Sequence, residues 1–198
     1  FVDTFALGGD SAVRLEEERL CLSPRRVMPI CAASQRWPAI KESLSDLLRA
    51  ERLNLLAGPE FYYLVREPAD AKQYRADELA LIAALRNGPG TLNSLREAAG
   101  ADFYHFSAER LEAAGVVMRI GLTPTDFMHI KGDYTAYDRL ASELAARVLL
   151  RLMGRAGTPE ALPSESELCP DVATSDVPVL DHAIAHERST AAFYAHLA

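Results

Sequence analysis

The chain has 198 residues, 49% of them apolar and 25% charged, a globular composition that argues against disorder or a fibrous repeat. Its 21 Lys and Arg against 28 Asp and Glu give a formal net charge of -7, which disfavours a sequence-independent grip on nucleic acid or on an anionic membrane. No apolar run approaches the roughly 18 residues of a spanning helix and no secretory leader pattern is present, so the expected location is cytoplasmic.

The first 31 residues read as extended. Val2-Asp3-Thr4-Phe5-Ala6-Leu7 is rich in strand formers and runs into Gly8-Gly9-Asp10-Ser11. Ala12-Val13-Arg14-Leu15 and Arg19-Leu20-Cys21-Leu22 alternate with a period near two around Glu16-Glu17-Glu18, the pattern of a hairpin, and Ser23-Pro24 is expected to end it. A helix is predicted from Trp37 to Leu56, with Pro38 in its first turn and Ile40, Leu44, Leu47, Leu48 and Leu55 on one face. Phe61-Tyr62-Tyr63-Leu64-Val65 follows as a strand.

Residues 75 to 122 read as one unit. A helix from Glu78 to Arg86 is followed by the turn Gly88-Pro89-Gly90. A second helix is capped by Thr91 and ended by Gly100, a third covers Ala108 to Ala114, and a strand covers Val116 to Ile120. Helix, turn, helix, helix, strand is the outline of a winged helix. Its acids and bases nearly balance and its third helix sets Arg110 against Glu109 and Glu112, so protein contact is expected rather than DNA reading.

Gly121-Leu122-Thr123-Pro124-Thr125-Asp126 predicts a helix start, with Thr123 as N-cap, Pro124 at the first position and Asp126 at the third. Gly132 would end that helix, and a long amphipathic helix would run from Tyr137 to Met153. A Gly-, Pro- and Ser-rich loop over 154–176 then leads to a last helix over 177–198. Both ends of the chain lie inside apolar patterns, which predicts a portion of a longer polypeptide.

Several groups could carry chemistry. Gly8, Gly9, Asp10 and Ser11 could let the backbone approach a phosphate or carboxylate, with Asp10 near a hydrated cation; an ordinary β-turn uses the same residues. Thr123, Thr125, Asp126 and His129 could set an anion or metal at a helix N-terminus, and they also satisfy a capping box. His182 and His186 share a helix face beside Asp181 and Glu187, yet no third ligand is identifiable, so no metal site is assigned. Cys21, Cys31 and Cys169 form no CxxC and are expected to be reduced thiols. No nucleophile elbow and no Walker loop is present, so no catalytic residue is assigned.

Three segments together resemble one family. The stretch from Asp3 to Arg14, followed by Leu22-Ser23-Pro24-Arg25-Arg26-Val27, resembles the hydantoinase A/oxoprolinase family, where a strand enters a GG(D/G)S turn and a GP-R segment follows; Ser23 stands in place of that glycine. Gly121-Leu122-Thr123-Pro124-Thr125-Asp126-Phe127-Met128-His129 is similar to a GLTPTD..H motif in one branch of it, and the helical stretch with Gly88-Pro89 and Leu111 to Val117 resembles that branch's insert.

The resemblance covers roughly residues 1–150. It implies an α+β chain: a partial lobe of the actin and sugar-kinase type with a small antiparallel hairpin sheet, a winged-helix-like insert and flanking helices. The expected divisions are 1–70, 71–135 and 136–198. It implies ATP-dependent hydrolysis of cyclic amides by an A-type subunit working with a B-type subunit, with ATP and Mg²⁺ in the whole protein and no cofactor for this portion alone. In that setting Gly8, Gly9, Asp10 and Ser11 would face nucleotide or substrate, with Thr123, Thr125, Asp126 and His129 as a second set. The family's DxGGTxTD, GGTSTD-like and late glycine-rich loops are absent from these residues. The alternative is a non-enzymatic winged-helix-like module for protein or nucleic-acid contact.

Overall fold

The computed structural model describes residues 9–16, 19–50, 58–100 and 107–154. Gly8, the loop beyond Gly154, the helix expected over 177–198, His182, His186 and Cys169 lie outside the described residues. The described chain is mixed helix and strand, and none of its helices is long and apolar enough to cross a membrane.

A three-stranded sheet organises the molecule. Strand β3 (Met28–Pro29) pairs parallel with β5 (Val117–Gly121), which pairs antiparallel with β4 (Phe61–Leu64). The period of two along β4 and β5 sorts their side chains onto opposite faces. Phe61, Tyr63, Met118 and Ile120 enter one apolar cluster, while Tyr62, Leu64 and Val117 enter another. The sheet therefore lies between two layers.

The first layer comprises α1 (Ile30–Arg36), α2 (Ala39–Arg49), α6 (Pro124–Lys131) and α7 (Arg139–Leu152). Ile40 and Leu44 of α2 meet Ala141, Ala145, Val148 and Leu149 of α7, whose small residues let the two helices lie close. The second layer is built from α3 (Ala76–Leu85), α4 (Leu92–Ala99) and α5 (Glu109–Ala113), which close Leu81, Ile82, Leu85, Leu95 and Leu111 over Tyr62 and Val117. Each fully buried aliphatic side chain of this kind stabilises the fold by roughly 1.5–3 kcal/mol.

A separate hairpin joins β1 (Ser11–Glu16) to β2 (Arg19–Arg26), as the alternation and the acidic turn anticipate. The difference lies at Pro24, which does not end the strand. Pairing resumes from Val13↔Leu22 to Ser11↔Arg26, so two residues of β1 oppose four of β2, and the excess forms a bulge. A bulge tolerates proline because its missing N–H is not needed there.

The Trp37–Leu56 helix also differs. The chain is already helical over Ile30–Arg36, and α2 begins after Pro38. Pro38 has no N–H to continue α1, and Trp37 before it is pushed out of the helical region, with φ -131° and ψ 86°. Ile30, Cys31, Ala33 and Ser34, the buried face of α1, keep helical spacing, but over less than two turns, too short a stretch to announce a helix by periodicity. At its other end α2 stops at Arg49, where Ala50 turns extended, and positions 51–57 of the expected helix lie outside the described residues. A 3-10 turn over Ala71–Gln73 is an addition to the expected elements, whereas β4, α3, α4, α5, β5, α6 and α7 agree with expectation to within a few residues. Gly100 and Gly132 end α4 and α6 with φ of 60° and 80°, the left-handed cap that glycine adopts without strain.

Candidate functional site

Helix α6 opens as its sequence requires. Thr123 is extended, and its Oγ1 accepts from the Asp126 N–H at 3.4 Å while donating to Asp126 Oδ2 at 2.9 Å; Oδ2 also accepts from the Thr123 N–H at 2.9 Å. That is the reciprocal capping box. The Asp126 carboxylate does more than cap its own helix. Oδ2 also accepts from the Ile30 N–H at 3.3 Å, and Oδ1 accepts from the Cys31 N–H at 2.8 Å and from Ser142 Oγ at 2.8 Å. One fully buried carboxylate thus closes α6, supplies the missing N-terminal cap of α1 and holds α7. Burying such a charge requires this density of donors, and the N-terminus of α1 contributes its partial positive charge. The Cys31 thiol is pushed far up from its ordinary value by burial, with the Asp126 charge adding to the effect.

The glycine turn sits directly on this helix start. Gly9 O accepts from Thr125 Oγ1 at 2.8 Å and from the Thr125 N–H at 3.3 Å. Val27 N donates to Asp10 O at 2.9 Å, and Val13 N donates to Leu122 O at 2.8 Å. Ser11 is fully buried, whereas Asp10 remains accessible and its carboxylate accepts two bonds from Arg26 Nη1, at 2.9 and 3.1 Å. The two candidate groups, 116 residues apart at their Gly9–Thr125 contact, form a single unit.

His129 has a different environment from that of an open ligand. Its ring is fully buried, Nδ1–H donates to Thr125 O at 2.8 Å, and Nε2 accepts from the Tyr137 N–H at 3.0 Å. The main-chain donor fixes the tautomer. Tyr137 stacks on the imidazole at 5.5 Å and Tyr134 meets it edge-on at 4.9 Å. His129 therefore ties the chain after α6 back to the carbonyl of Thr125, the residue that holds Gly9.

Sequence reasoning missed a set of charges beside the hairpin. Arg14 lies across Glu60 with Nε–Oε1 at 2.9 Å and Nη2–Oε2 at 3.1 Å. Arg119 Nη1 reaches the same carboxylate at 2.9 Å, and its Nε and Nη2 grip Glu112 at 2.7 and 3.0 Å. Arg25 Nη1 closes the row on Glu112 at 3.1 Å. Arg119 is only 11% exposed and lies over the Tyr62 ring at 5.0 Å. Burial opposes the charge on Arg119, but Glu112, Tyr62 and Glu60 outweigh it and raise its pKa. Burial likewise pushes Glu60 up, but Arg14 and Arg119 outweigh it and hold its carboxyl below the ordinary 4.5. Tyr62 is pushed up to about 12, mainly by burial. The available signal was a charged residue between Met118 and Ile120 in an apolar strand.

The second helical layer presents few free cations. Arg66 donates to Ala114 O, Arg75 pairs with Asp77, Arg86 grips Glu67 through two bonds, and Arg110 donates to Gln73 O beside buried Glu78. Among the described residues no group of three or more His, Cys, Asp or Glu is placed to hold a metal ion. No protein-family model matches the chain, and neither a curated protein nor a solved structure matches it.

Proposed function

We propose that this chain is part of the A-type subunit of an ATP-dependent hydrolase of cyclic amides, of the hydantoin or 5-oxoproline class. In the whole protein the turn Gly8, Gly9, Asp10 and Ser11 would border its nucleotide or substrate cleft; of the three that are described, Asp10 is the accessible one, and Gly9 and Ser11 are buried beneath it. The finer architecture of this reading is a partial actin and sugar-kinase-like lobe carrying a winged-helix-like insert. The observation that carries the reading is the Gly9–Thr125 junction: two of the three segments on which the family resemblance rests are hydrogen-bonded to each other despite their separation in sequence.

Within this reading the roles divide by exposure. Asp10, accessible and paired with Arg26, faces the ligand, and Arg26 offers a cation to an anionic group arriving at the turn. Thr123, Thr125, Asp126 and His129 are positioning residues, each occupied in holding the turn and the ends of α1 and α6. ATP is the co-substrate: the amide oxygen takes the γ-phosphoryl group and ADP leaves. Water then adds to the activated carbon, the ring C–N bond breaks, and phosphate departs. The one accessible carboxylate at the turn, Asp10, suits contact with Mg²⁺ carried on the phosphates rather than a cage for a resident ion.

The family's other phosphate loops are not among these 198 residues, and a B-type subunit is the expected partner. The chain alone should therefore neither hydrolyse ATP nor bind it tightly. Titration calorimetry with MgATP checks this. Weak or absent heat is expected, and tight Mg²⁺-dependent binding by the 198-residue chain would contradict the division of the site.

A second reading rests on the separate apolar cluster of α3, α4 and α5, which gives that layer the makings of a contact module. Its arginines are engaged by acids and carbonyls, which favours a protein partner over phosphate contacts. A gel-shift series decides between them: salt-sensitive DNA binding would favour the nucleic-acid form of this reading over the cleft assignment.

A further inference from the structure

We propose that the outer face of α7 is the docking surface for positions 177–198 of the same chain, laid along it as a parallel helix with Glu187 paired to Arg147. The inference does not depend on which ligand the glycine turn takes.

Arg147 is the group that calls for a partner. Its Nε is buried and has no hydrogen-bond acceptor among the described residues. The acid one turn earlier, Glu143, is engaged by Arg139 at 2.7 Å. One turn later, Arg151 caps the C-terminus of α2 through Leu47 O, Leu48 O and Ala50 O. A buried guanidinium N–H without an acceptor is costly, and an acid arriving over α7 removes that cost.

The same face is otherwise apolar. Leu140 and Leu144 stand seven and three residues before Arg147, so the three share one stripe. Leu140 is 53% exposed, Tyr137 just before the helix is 39% exposed, and Leu144 is only partly buried. The opposite side, with Ala141, Ala145 and Val148, is the one closed in the first apolar cluster.

The sequence beyond Gly154 carries a matching stripe. Val177, Leu180, Ile184 and Glu187 repeat the spacing of Tyr137, Leu140, Leu144 and Arg147 at a constant offset of 40 residues, with an acid where α7 has its cation. In a parallel helix pair like positions of the repeat meet, which aligns Leu180 with Leu140, Ile184 with Leu144 and Glu187 with Arg147. An antiparallel pair with Glu187 at Arg147 loses the Leu180 and Ile184 contacts. The connection also reaches: the 14 residues of α7 are about 21 Å long, and a coil of the 22 residues between Gly154 and Val177 spans about 26 Å.

Hydrogen exchange read by mass spectrometry tests this on the full 198-residue chain. Peptides covering 177–198 should exchange at least about tenfold more slowly than an unstructured chain. Arg147→Glu and Glu187→Arg should each accelerate them about fivefold, and the two together should restore them to within about twofold of the unsubstituted chain. Peptides covering β4 and β5 should not change. Glu187→Arg alters nothing within α7, so its effect is read even where Arg147→Glu disturbs that helix. Exchange over 177–198 at the unstructured rate overturns the inference, and so does a combined variant no slower than either single one. Protection that falls on tenfold dilution also overturns it, because a second copy would then supply the docked helix.

Discussion

Replacing Asp126 by Asn changes one atom of the side chain and tests whether this carboxylate holds three helices together. Oδ2 accepts from Ile30 N, Thr123 N and Thr123 Oγ1, and Oδ1 accepts from Cys31 N and Ser142 Oγ. An amide nitrogen placed on the Oδ2 side would face two main-chain donors that cannot turn away. On the Oδ1 side it faces only the Cys31 N–H, since the Ser142 hydroxyl can rotate to accept. The second placement is the cheaper one. It leaves one buried main-chain donor unsatisfied, at about 1–3 kcal/mol, and turns the remaining bonds from charge-assisted to neutral, while relieving the cost of a buried charge.

The net expected loss is about 3 kcal/mol, a large share of the roughly 5–15 kcal/mol typical of folded domains. For a chain of this size that corresponds to a fall in Tm of about 6–12 °C. Trp37, the single tryptophan and part of the first apolar cluster through its contact with Tyr63, reports the transition by fluorescence in a urea titration. Ser142→Ala, which removes one of the donors and no charge, should cost about 1 kcal/mol. A loss under about 1 kcal/mol for Asp126→Asn would refute the reasoning and return Asp126 to the ligand-facing set.

Three further outcomes follow from the same geometry. Thr125→Val removes the Oγ1 bond to Gly9 O at 2.8 Å and should speed amide exchange around residues 9–13 while costing about 1–2 kcal/mol, whereas Thr125→Ser should restore both. Glu60 is held below 4.5 when folded, so its ion pairs stabilise the protein above that pH and are lost as the pH falls through its depressed folded value; unfolding titrations between neutral and acid pH should show a shallower acid loss in Glu60→Gln. Cys31, buried with its thiol pKa pushed up, should stay unlabelled by a thiol reagent at mildly alkaline pH until the protein unfolds, as read by peptide mass mapping.

Much of the local structure could be read from residue types with a single physical role. Thr123, Pro124 and Asp126 specify a helix start, Thr91 and Gly100 bracket α4, and the alternation around Glu16-Glu17-Glu18 specifies a hairpin. These are short-range effects, decided within one turn of chain. Pro24 illustrates the limit: it reads as a strand end, but tertiary pairing with β1 carries the strand past it through a bulge. Helix α1 was hidden because its N-terminal cap is not a neighbouring side chain but Asp126, 95 and 96 residues further along.

The candidate site divides in the same way. The residue types at Gly9, Asp10, Thr125 and Asp126 were conspicuous, while the contact that unites them exists only once the sheet forms. The Arg14–Glu60–Arg119–Glu112–Arg25 row belongs wholly to tertiary structure. Its members come from β1, the residue before β4, β5, α5 and β2, and no sequence window contains more than two of the adjacent partners.

The most direct test of the proposed function is a coupled assay on the longer polypeptide that the proposal implies, an A-type subunit including this chain, assembled with the B-type subunit proposed as its partner. With hydantoin or 5-oxoproline as substrate, the account predicts Mg²⁺-dependent ring opening with one ADP released per ring opened, and strongly reduced turnover for Asp10→Ala. An assembly that consumes no ATP with either ring, or one whose turnover is indifferent to Asp10, would contradict it.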